Sequence, residues 1–449
     1  MFPLSAQRAL RSVADAAAAV TVALFAVLGL LLLRRRHLPA GRELLVLDSS
    51  YTVAAVRARG LEQAVRARDV GGWFDHVWSV HPLVGADEQE GAEHGGLDRH
   101  ELTDRHTVLE AHVGRSRRLV SWPMLNLALS QAQLVAELRR LLAARPIVAV
   151  RVGDPYYLGL LGLALARAAR IPLVIRVNGN HDAIYDDIGA LAYPRLFRRR
   201  SIEKRIDHYV LSRAALVMAP SDDNLQFALK NGAVPGRSAV VHYGSLIHPA
   251  HFSDPNDRSG EREFLPDGPI VVAVTRLEPV KRPGDVVAAV DAIRRHLPDV
   301  VAVIAGDGSL RAPLEDEIER RGLRGRVLLP GNLDQERLAA LLAGADVVLA
   351  PSMGRALVEA SLSATPVVAY DVDWHRELVA DGITGLLVPG GDVEAMAAAT
   401  VRLLGDRRWA DRLGAAAREH ALERMAPARL EAHERTLYEQ VLGVSVLRR

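Results

Sequence analysis

The chain contains no cysteine and only three lysines, Lys204, Lys230 and Lys281, among 56 basic residues. The absence of cysteine excludes a disulfide framework, a thiol nucleophile and a thiolate-ligated zinc. The shortage of lysine means that positions needing only positive charge have become arginine. A lysine that persists is a candidate for work as a compact point charge. A strong excess of one charge is also missing: 54 acidic residues leave a formal net charge of +2, and the pI near 9.0 reflects arginine use. Such a balance gives no reason to expect a nucleic-acid partner.

Charge is locally absent at residues 16–33, "AAAAVTVALFAVLGLLLL", 18 residues without a charged side chain. As a helix rising ~1.5 Å per residue the run reaches ~27 Å, enough to cross a bilayer core. Arg34, Arg35 and Arg36 follow it, against Arg8, Arg11 and Asp15 ahead of it. That asymmetry predicts a single-pass anchor with the bulk of the protein on the cytoplasmic side of the membrane. A cleaved signal peptide fits less well, because the charges lie on the wrong flank and no small-residue cleavage site precedes the arginines.

The remaining length accommodates two domains. Short apolar runs alternate with helical stretches at 44–48, 147–151, 172–177, 215–219 and 239–242, then again at 270–274, 300–306, 327–331, 346–350, 366–370 and 385–389. Continuous Val/Ile/Leu runs separated by helices predict parallel strands buried on both faces. The polar, breaker-rich stretch at 252–268 separates the two series. The expected plan is a tail at 1–15, the anchor at 16–33, a juxtamembrane linker at 34–42, a Rossmann-like domain at 43–251, a linker at 252–268 and a second Rossmann-like domain at 269–425. A last helix at 426–449 is expected to pack back on the first domain. Residues 85–106 read as a solvated loop in which His94, His100 and His106 sit among acids at a spacing that matches no metal-ligand pattern.

Open parallel sheets bind ligands at the carboxyl ends of their strands. Arg276 and Lys281 follow the strand at 270–274, and a helix is expected from Pro283 with Val286, Val290, Ile293 and Leu297 on its apolar face. Two cations and a helix N-terminus at a sheet edge describe a phosphate site; the alternative is a surface ion pair with Glu278 or Asp285. A second helix is expected from Arg355, after the strand ending at Ala350, with Ser352 as its cap, Gly354 open to a ligand and Glu359 one turn in. A carboxylate there accepts hydrogen bonds from a ribose diol, or else serves the helix dipole.

Residues 266–425 resemble the retaining, nucleotide-sugar-dependent glycosyltransferases of family four (glycosyl transferases group 1), of GT-B architecture. The likeness rests on "TRLEPVK", "IAGDGSLRAPLE", "LLPGNLDQERLAALLAGADVVLAPS", "LVEASLSATPVVAYD" and "ELVADGITGLLVPGGD" in that order. It implies two doubly wound domains facing a cleft, a nucleotide-diphosphate-sugar substrate and no metal cofactor. It further implies that Arg276 and Lys281 hold the donor diphosphate, that Glu359 binds the ribose, that Gly354, Arg355 and Ala356 line the donor site, and that backbone at Asn332 and Leu333 meets the base. In the amino-terminal half "LDSSYT" matches a loop near the diphosphate, which brings in Ser50. His181 matches the reaction-centre position there, with Asp154 and Asp182 as acceptor-side candidates. The family carries two glutamates separated by seven residues, whereas counting back from Glu359 reaches Pro351. The turn is shorter than usual, and Asp371, Asp373 and Glu377 are the candidates to serve the donor sugar in its place. The resulting expectation is a membrane-anchored glycosyltransferase with a glycan or glycolipid acceptor. A non-catalytic nucleotide-sugar sensor or scaffold, and a sugar-nucleotide epimerase or hydrolase, are the alternatives. The basic stretch at 195–205 is expected either to touch anionic lipid or to form a solvated helix face.

Overall fold

The computed structural model describes residues 33, 38–85, 97–113, 123–194, 196–255 and 268–446. Its contacts divide the chain into two units. The first comprises Met1–Val56, Val65–Val241 and Glu431–Arg449, the second Arg57–Ala64 and His242–Leu430. The expected limits at 251 and 425 lie near these breaks rather than on them.

The first unit is built on eight strands: β1 (Glu43–Leu47), β2 (His76–Val84), β3 (Leu97–Thr103), β4 (His106–His112), β5 (Ile147–Val152), β6 (Leu173–Arg176), β7 (Leu216–Ala219) and β8 (Ser238–Val240). Their order is β3-β4-β2-β1-β5-β6-β7-β8, parallel throughout except for β3, which runs antiparallel to β4. Helices α1 (Pro123–Ala144), α2 (Tyr157–Ala169), α3 (His181–Ile188), α4 (Arg200–Leu211) and α5 (Asp222–Lys230) lie in the connections. Successive residues of a strand serve opposite faces. Accordingly Leu45, Val150 and Ile175 join one hydrophobic cluster while Leu44, Ala149 and Val174 join another.

The second unit holds β9 (Ile270–Val274), β10 (Val301–Ala305), β11 (Val327–Gly331), β12 (Val347–Ala350), β13 (Val367–Tyr370) and β14 (Leu386–Val388), all parallel, in the order β11-β10-β9-β12-β13-β14. Its helices are α6 (Pro283–Ile293), α7 (Arg311–Arg320), α8 (Gln335–Gly344), α9 (Arg355–Leu362), α10 (His375–Leu378), α11 (Val393–Gly405) and α12 (Arg407–Met425). Val271, Ala302 and Leu349 pack on one side and Val272, Val303 and Val348 on the other. Both sheets reverse winding direction once, between β1 and β5 and between β9 and β12, and such switch points open a crevice at the strands' carboxyl ends.

Two expectations are corrected. Within the stretch 85–106 read as loop, residues 97–103 form a strand that pairs antiparallel with 106–112 as a β-hairpin at the sheet edge. No residue of β3 is buried, so the strand carries the polar composition of a loop. His100 lies 3.3 Å from Glu110, His106 accepts or donates a hydrogen bond at Thr103 Oγ1 (2.8 Å), and His94 lies outside the described residues. Among the described residues no three His, Asp or Glu side chains gather as a metal site. Helix α6 ends at Ile293, so Leu297 packs on the core from the following turn. Finally, no helix among the described residues is long and apolar enough to cross a membrane; the anchor expected at 16–33 lies outside them, except for Leu33.

The last helix, α13 (Pro427–Val446), joins the first unit from Glu431. Tyr438 packs edge-on against Phe74 with centroids 5.0 Å apart. Glu434, buried, accepts from Arg151 of β5 (3.1 Å) and Arg176 of β6 (3.5 Å). Removing the carboxylate leaves buried guanidinium charge without its shared counter-ion, so Glu434→Ala is expected to cost about 3–5 kcal/mol. The check is the chemical-denaturation midpoint by circular dichroism; a shift under ~0.5 kcal/mol would show the pair to be dispensable.

Candidate active site

In the second unit the chain leaves β9 through buried Thr275, exposed Arg276 and buried Leu277. This loop is held from the side by the loop after β10. Thr275 N–H donates to Ala305 O (3.0 Å), Leu277 N–H to Asp307 O (3.0 Å) and Leu310 N–H to Leu277 O (2.9 Å). The approach is close enough that a Cβ on Gly306 would stand 1.8 Å from Thr275 O, and one on Gly308 2.6 Å from Leu277 O. Only glycine permits it. Glu278 accepts from Ser309 N–H (3.1 Å) and Ser309 Oγ (2.7 Å), and these bonds, with the charge of Arg276, hold its carboxyl below the ordinary range.

A 3-10 turn, Pro279–Lys281, then leads to Arg282, whose φ of 50° puts a non-glycine residue in the left-handed region just ahead of α6. Asp285 accepts from Tyr370 Oη (3.0 Å). Glu278 and Asp285 are therefore engaged elsewhere, and among the described residues neither Arg276 nor Lys281 forms an ion pair within hydrogen-bonding distance. Lys281 is half-buried, and burial with repulsion from Arg276 lowers its pKa, opposed by Asp373.

Across the switch point, β12 opens into the turn at 351–354. His375 organises it: Nδ1–H donates to Tyr370 O (2.8 Å) and Nε2 accepts from Met353 N–H (3.0 Å). Burial lowers the imidazole's pKa, consistent with this neutral form. Ser352 is buried but does not cap α9; the cap is Gly354, with no side-chain bond. The expected Ser352 cap is thus replaced by bare backbone, and the space a Cβ on Gly354 would enter is empty to 4 Å. Glu359 is 2% exposed and accepts from Arg355 Nε (2.9 Å). Ala356 packs on the core, while Asn332 and half-buried Leu333 follow β11 at the sheet's edge.

The three donor-sugar candidates divide. Asp371 pairs through both oxygens with Arg376, which holds its pKa below the ordinary value. Glu377 is half-buried in α10. Asp373 is exposed, has φ 50°, and acts electrostatically on Lys281 and His375.

In the first unit Asp48 closes β1 and accepts from Ser50 N–H (2.9 Å) and Ser50 Oγ (2.6 Å). Burial raises its pKa, but Arg68 and Ser50 outweigh that and leave it lowered. Across this unit's switch point Asp154 accepts from Tyr156 N–H (2.7 Å) and Tyr193 Oη (2.6 Å), and burial pushes its pKa up to about 6. His181 opens α3, whose Asn180 cap accepts from Ala183 N–H (3.1 Å). The imidazole meets the Tyr156 ring edge-on at 5.1 Å. Asp182 is fully engaged, accepting from Arg200, Lys204 Nζ (2.9 Å) and Asn231 Nδ2 (2.9 Å); these donors overcome burial and bring its pKa to about 2. Sequence reasoning missed Tyr193, Arg200 and His375, since no local motif marks partners joined only by folding.

Two doubly wound Rossmann-like units in one chain, with a paired-cation loop and a bare helix N-terminus at the switch point of the second, agree with the GT-B fold. Residues 257–420 match the family described as glycosyl transferases group 1, and this match, with the curated relatives and the solved structures, supports a GT-B glycosyltransferase of that group. It is 29% identical over 322 residues to the GDP-mannose-dependent alpha-(1-6)-phosphatidylinositol monomannoside mannosyltransferase of Mycolicibacterium smegmatis, covering 68% of this chain and 80% of that protein. It is 30% identical over 261 residues to the alpha-D-kanosaminyltransferase of Streptomyces kanamyceticus, covering 56% and 65%. Sucrose-phosphate synthase from Thermosynechococcus elongatus superposes with a TM-score of 0.71 at 20% identity, over 90% of this chain and 100% of that one. Anabaena HepE in complex with UDP-glucose gives 0.65 at 19%, over 89% and 99%.

Burial, and next the nearby Arg200 charge, lower the His181 pKa from 6.5 to about 4. The unfolded chain thus takes up this proton first as pH falls. The stabilising contribution of neutral His181 is complete above pH 6.5 and is lost as pH drops through about 4. An NMR titration of the ring is expected to give a midpoint of about 4, and His181→Gln to flatten that part of the pH–stability curve. A midpoint at the ordinary histidine value would refute the buried neutral ring.

Proposed function

We propose that this protein transfers a sugar from a nucleotide-diphosphate-sugar to a glycan or glycolipid acceptor with retention of configuration, from the cytoplasmic face of a membrane. The observation that carries the reading is the Arg276–Lys281 loop: two adjacent cations, without an ion pair among the described residues, beside the carboxyl end of β9. Like charges brought together at a sheet's switch point call for an anionic ligand. A diphosphate satisfies both, Arg276 through two donors and Lys281 as a point charge, with the N–H groups of α9 adding to the field.

As the bond to the anomeric carbon breaks, its electron pair passes to the departing diphosphate oxygen. Arg276, Lys281 and the α9 N-terminus stabilise that charge, and the reading assigns no step to a metal. Glu359 receives the ribose hydroxyls, its bond to Arg355 setting the carboxylate's orientation. Asn332 and Leu333 meet the base. In the first unit neutral His181 serves as a hydrogen-bonding group rather than a cation, with Asp154 on the acceptor side. Asp182 positions Arg200 and Lys204. Anchoring through residues 16–33 suits an acceptor held at a membrane. The mannosyltransferase relative, whose name specifies a phosphatidylinositol monomannoside, agrees with such an acceptor.

Lys281→Ala is expected to lower transfer by ~10²–10³-fold while the circular dichroism spectrum is unchanged. The check pairs a transfer assay with a thermal-shift screen of uridine, guanosine, adenosine and thymidine diphosphates and their sugar conjugates. Wild-type-like transfer by the variant would remove the diphosphate assignment, and donor binding without transfer to any acceptor would favour a sensor.

We further assign the donor-sugar contact to Asp373. A carboxylate beside two phosphate-binding cations weakens anion binding, so its place is explained by hydroxyl groups that need an acceptor. Its left-handed backbone is the kind of strain that persists at ligand sites. Asp373→Asn is expected to leave the affinity for bare nucleoside diphosphate equal or higher, and to weaken the sugar conjugate by ~10-fold or more. Equal effects on both ligands, measured by calorimetry, would reject the assignment.

A further inference from the structure

Helix α4 sorts its charges by face. Its two acids, Glu203 and Asp207, are 0% exposed. Arg200 turns to Glu203 (3.0 Å) and to Asp182, and Lys204 also reaches Asp182 (2.9 Å). On the outer side Ser201, Arg205, His208, Tyr209 and Arg213 recur at helical spacing, and Arg198 and Arg199 are exposed just ahead of the helix. The basic stretch read from the sequence is therefore two populations, one holding the fold and one facing solvent. Among the described residues, the side chains of Arg198, Arg199 and Arg205 make no hydrogen bond or ion pair.

Tyr209, 38% exposed, is the aromatic on this stripe. The Arg213 guanidinium lies 4.1 Å from its ring centre, and Arg167 of α2 donates to its hydroxyl (3.0 Å). The adjoining end of α2 supplies an independent observation. Leu33, the last residue of the uncharged run 16–33, donates its N–H to Ala168 O (2.8 Å) and packs on the hydrophobic cluster there. Ala168 is next to Arg167. The end of the uncharged run 16–33 is thus fixed beside the face of α4 on which cations are exposed while its two acids are buried.

We propose that the stripe formed by Arg198, Arg199, Arg205, Tyr209 and Arg213 docks on the anionic surface of a lipid bilayer. It deepens the membrane setting of the proposed function by naming the face turned to the lipid. Arginine forks pair with lipid phosphates, and a tyrosine suits the headgroup level, apolar in its ring and polar at its tip. A nearly neutral chain, with a formal net charge of +2, confines the attraction to this patch rather than to the length of a nucleic acid.

The lack of native cysteine permits a direct test. Full-length chain bearing Ser201→Cys is labelled with the fluorophore NBD and reconstituted into vesicles of phosphatidylcholine, with or without phosphatidylglycerol, that contain a nitroxide-headgroup lipid. Asp104→Cys, in the exposed turn between β3 and β4 at the far edge of the sheet, is the control position. Quenching is expected at position 201 only, only with phosphatidylglycerol, and to fade with added salt. Arg198→Gln combined with Arg205→Gln is expected to lower the ratio of docked to free molecules by ~25-fold, about fivefold per cation. Quenching that is equal in neutral and anionic vesicles, absent in both, or unchanged by the double substitution would overturn the proposal. A spectral shift produced by soluble heparin but not by anionic vesicles would reassign the stripe to a polyanion. Titration of each variant with nucleoside diphosphates reports the donor site separately, so failure here and failure of the proposed activity are distinguishable.

Discussion

Arg276 and Lys281 are held near each other against their mutual repulsion, and the arrangement of the second unit follows from that constraint. Like charges separate unless the backbone carrying them is fixed. Here the loop is clamped by main-chain bonds to the segment after β10, at a distance only Gly306 and Gly308 allow, and by Glu278 on Ser309. Glu278 and Asp285, the acids nearest in sequence, face Ser309 and Tyr370 instead. The positive potential is thereby left uncancelled by either acid.

The first unit handles charge in the opposite way. Asp182 receives donors from three side chains, Asp48 is matched by Arg68, and Glu434 is shared by two arginines. Burying a charge is tolerable when its partners are buried with it. Two groups at the strand ends escape this matching: His181, made neutral by burial, and Asp154, whose pKa rises to about 6. Groups moved toward their uncharged forms suit contact with sugar hydroxyls, whereas the cations of the second unit suit phosphate. The two units thus differ in the electrostatics at their strand ends, near-neutral groups in the first and, in the second, cations unpaired among the described residues.

The same sorting operates around α4. A reading of "RLFRRRSIEKR" treats its cations as equivalent, but helical geometry sends Arg200 and Lys204 inward to acids and leaves Arg198, Arg199 and Arg205 in solvent. Likewise, a helix cap expected at Ser352 fails because the short turn buries that side chain and makes Gly354 the cap. Strand β3 was invisible for a related reason: an edge strand with no buried residue offers no alternating pattern.

Apolar runs announced the parallel strands directly, because a strand covered on both faces must be apolar at nearly every position, and this is a property of consecutive residues. The placement of Arg276, Lys281 and Gly354 was legible for the same local reason, since each follows a strand or opens a helix. Strand order was not legible, nor were the different surroundings of Asp371, Asp373 and Glu377, nor the partners His375, Tyr193 and Arg200. Those depend on which charges and donors meet in space, and desolvation and Coulomb interaction act across the fold rather than along the chain.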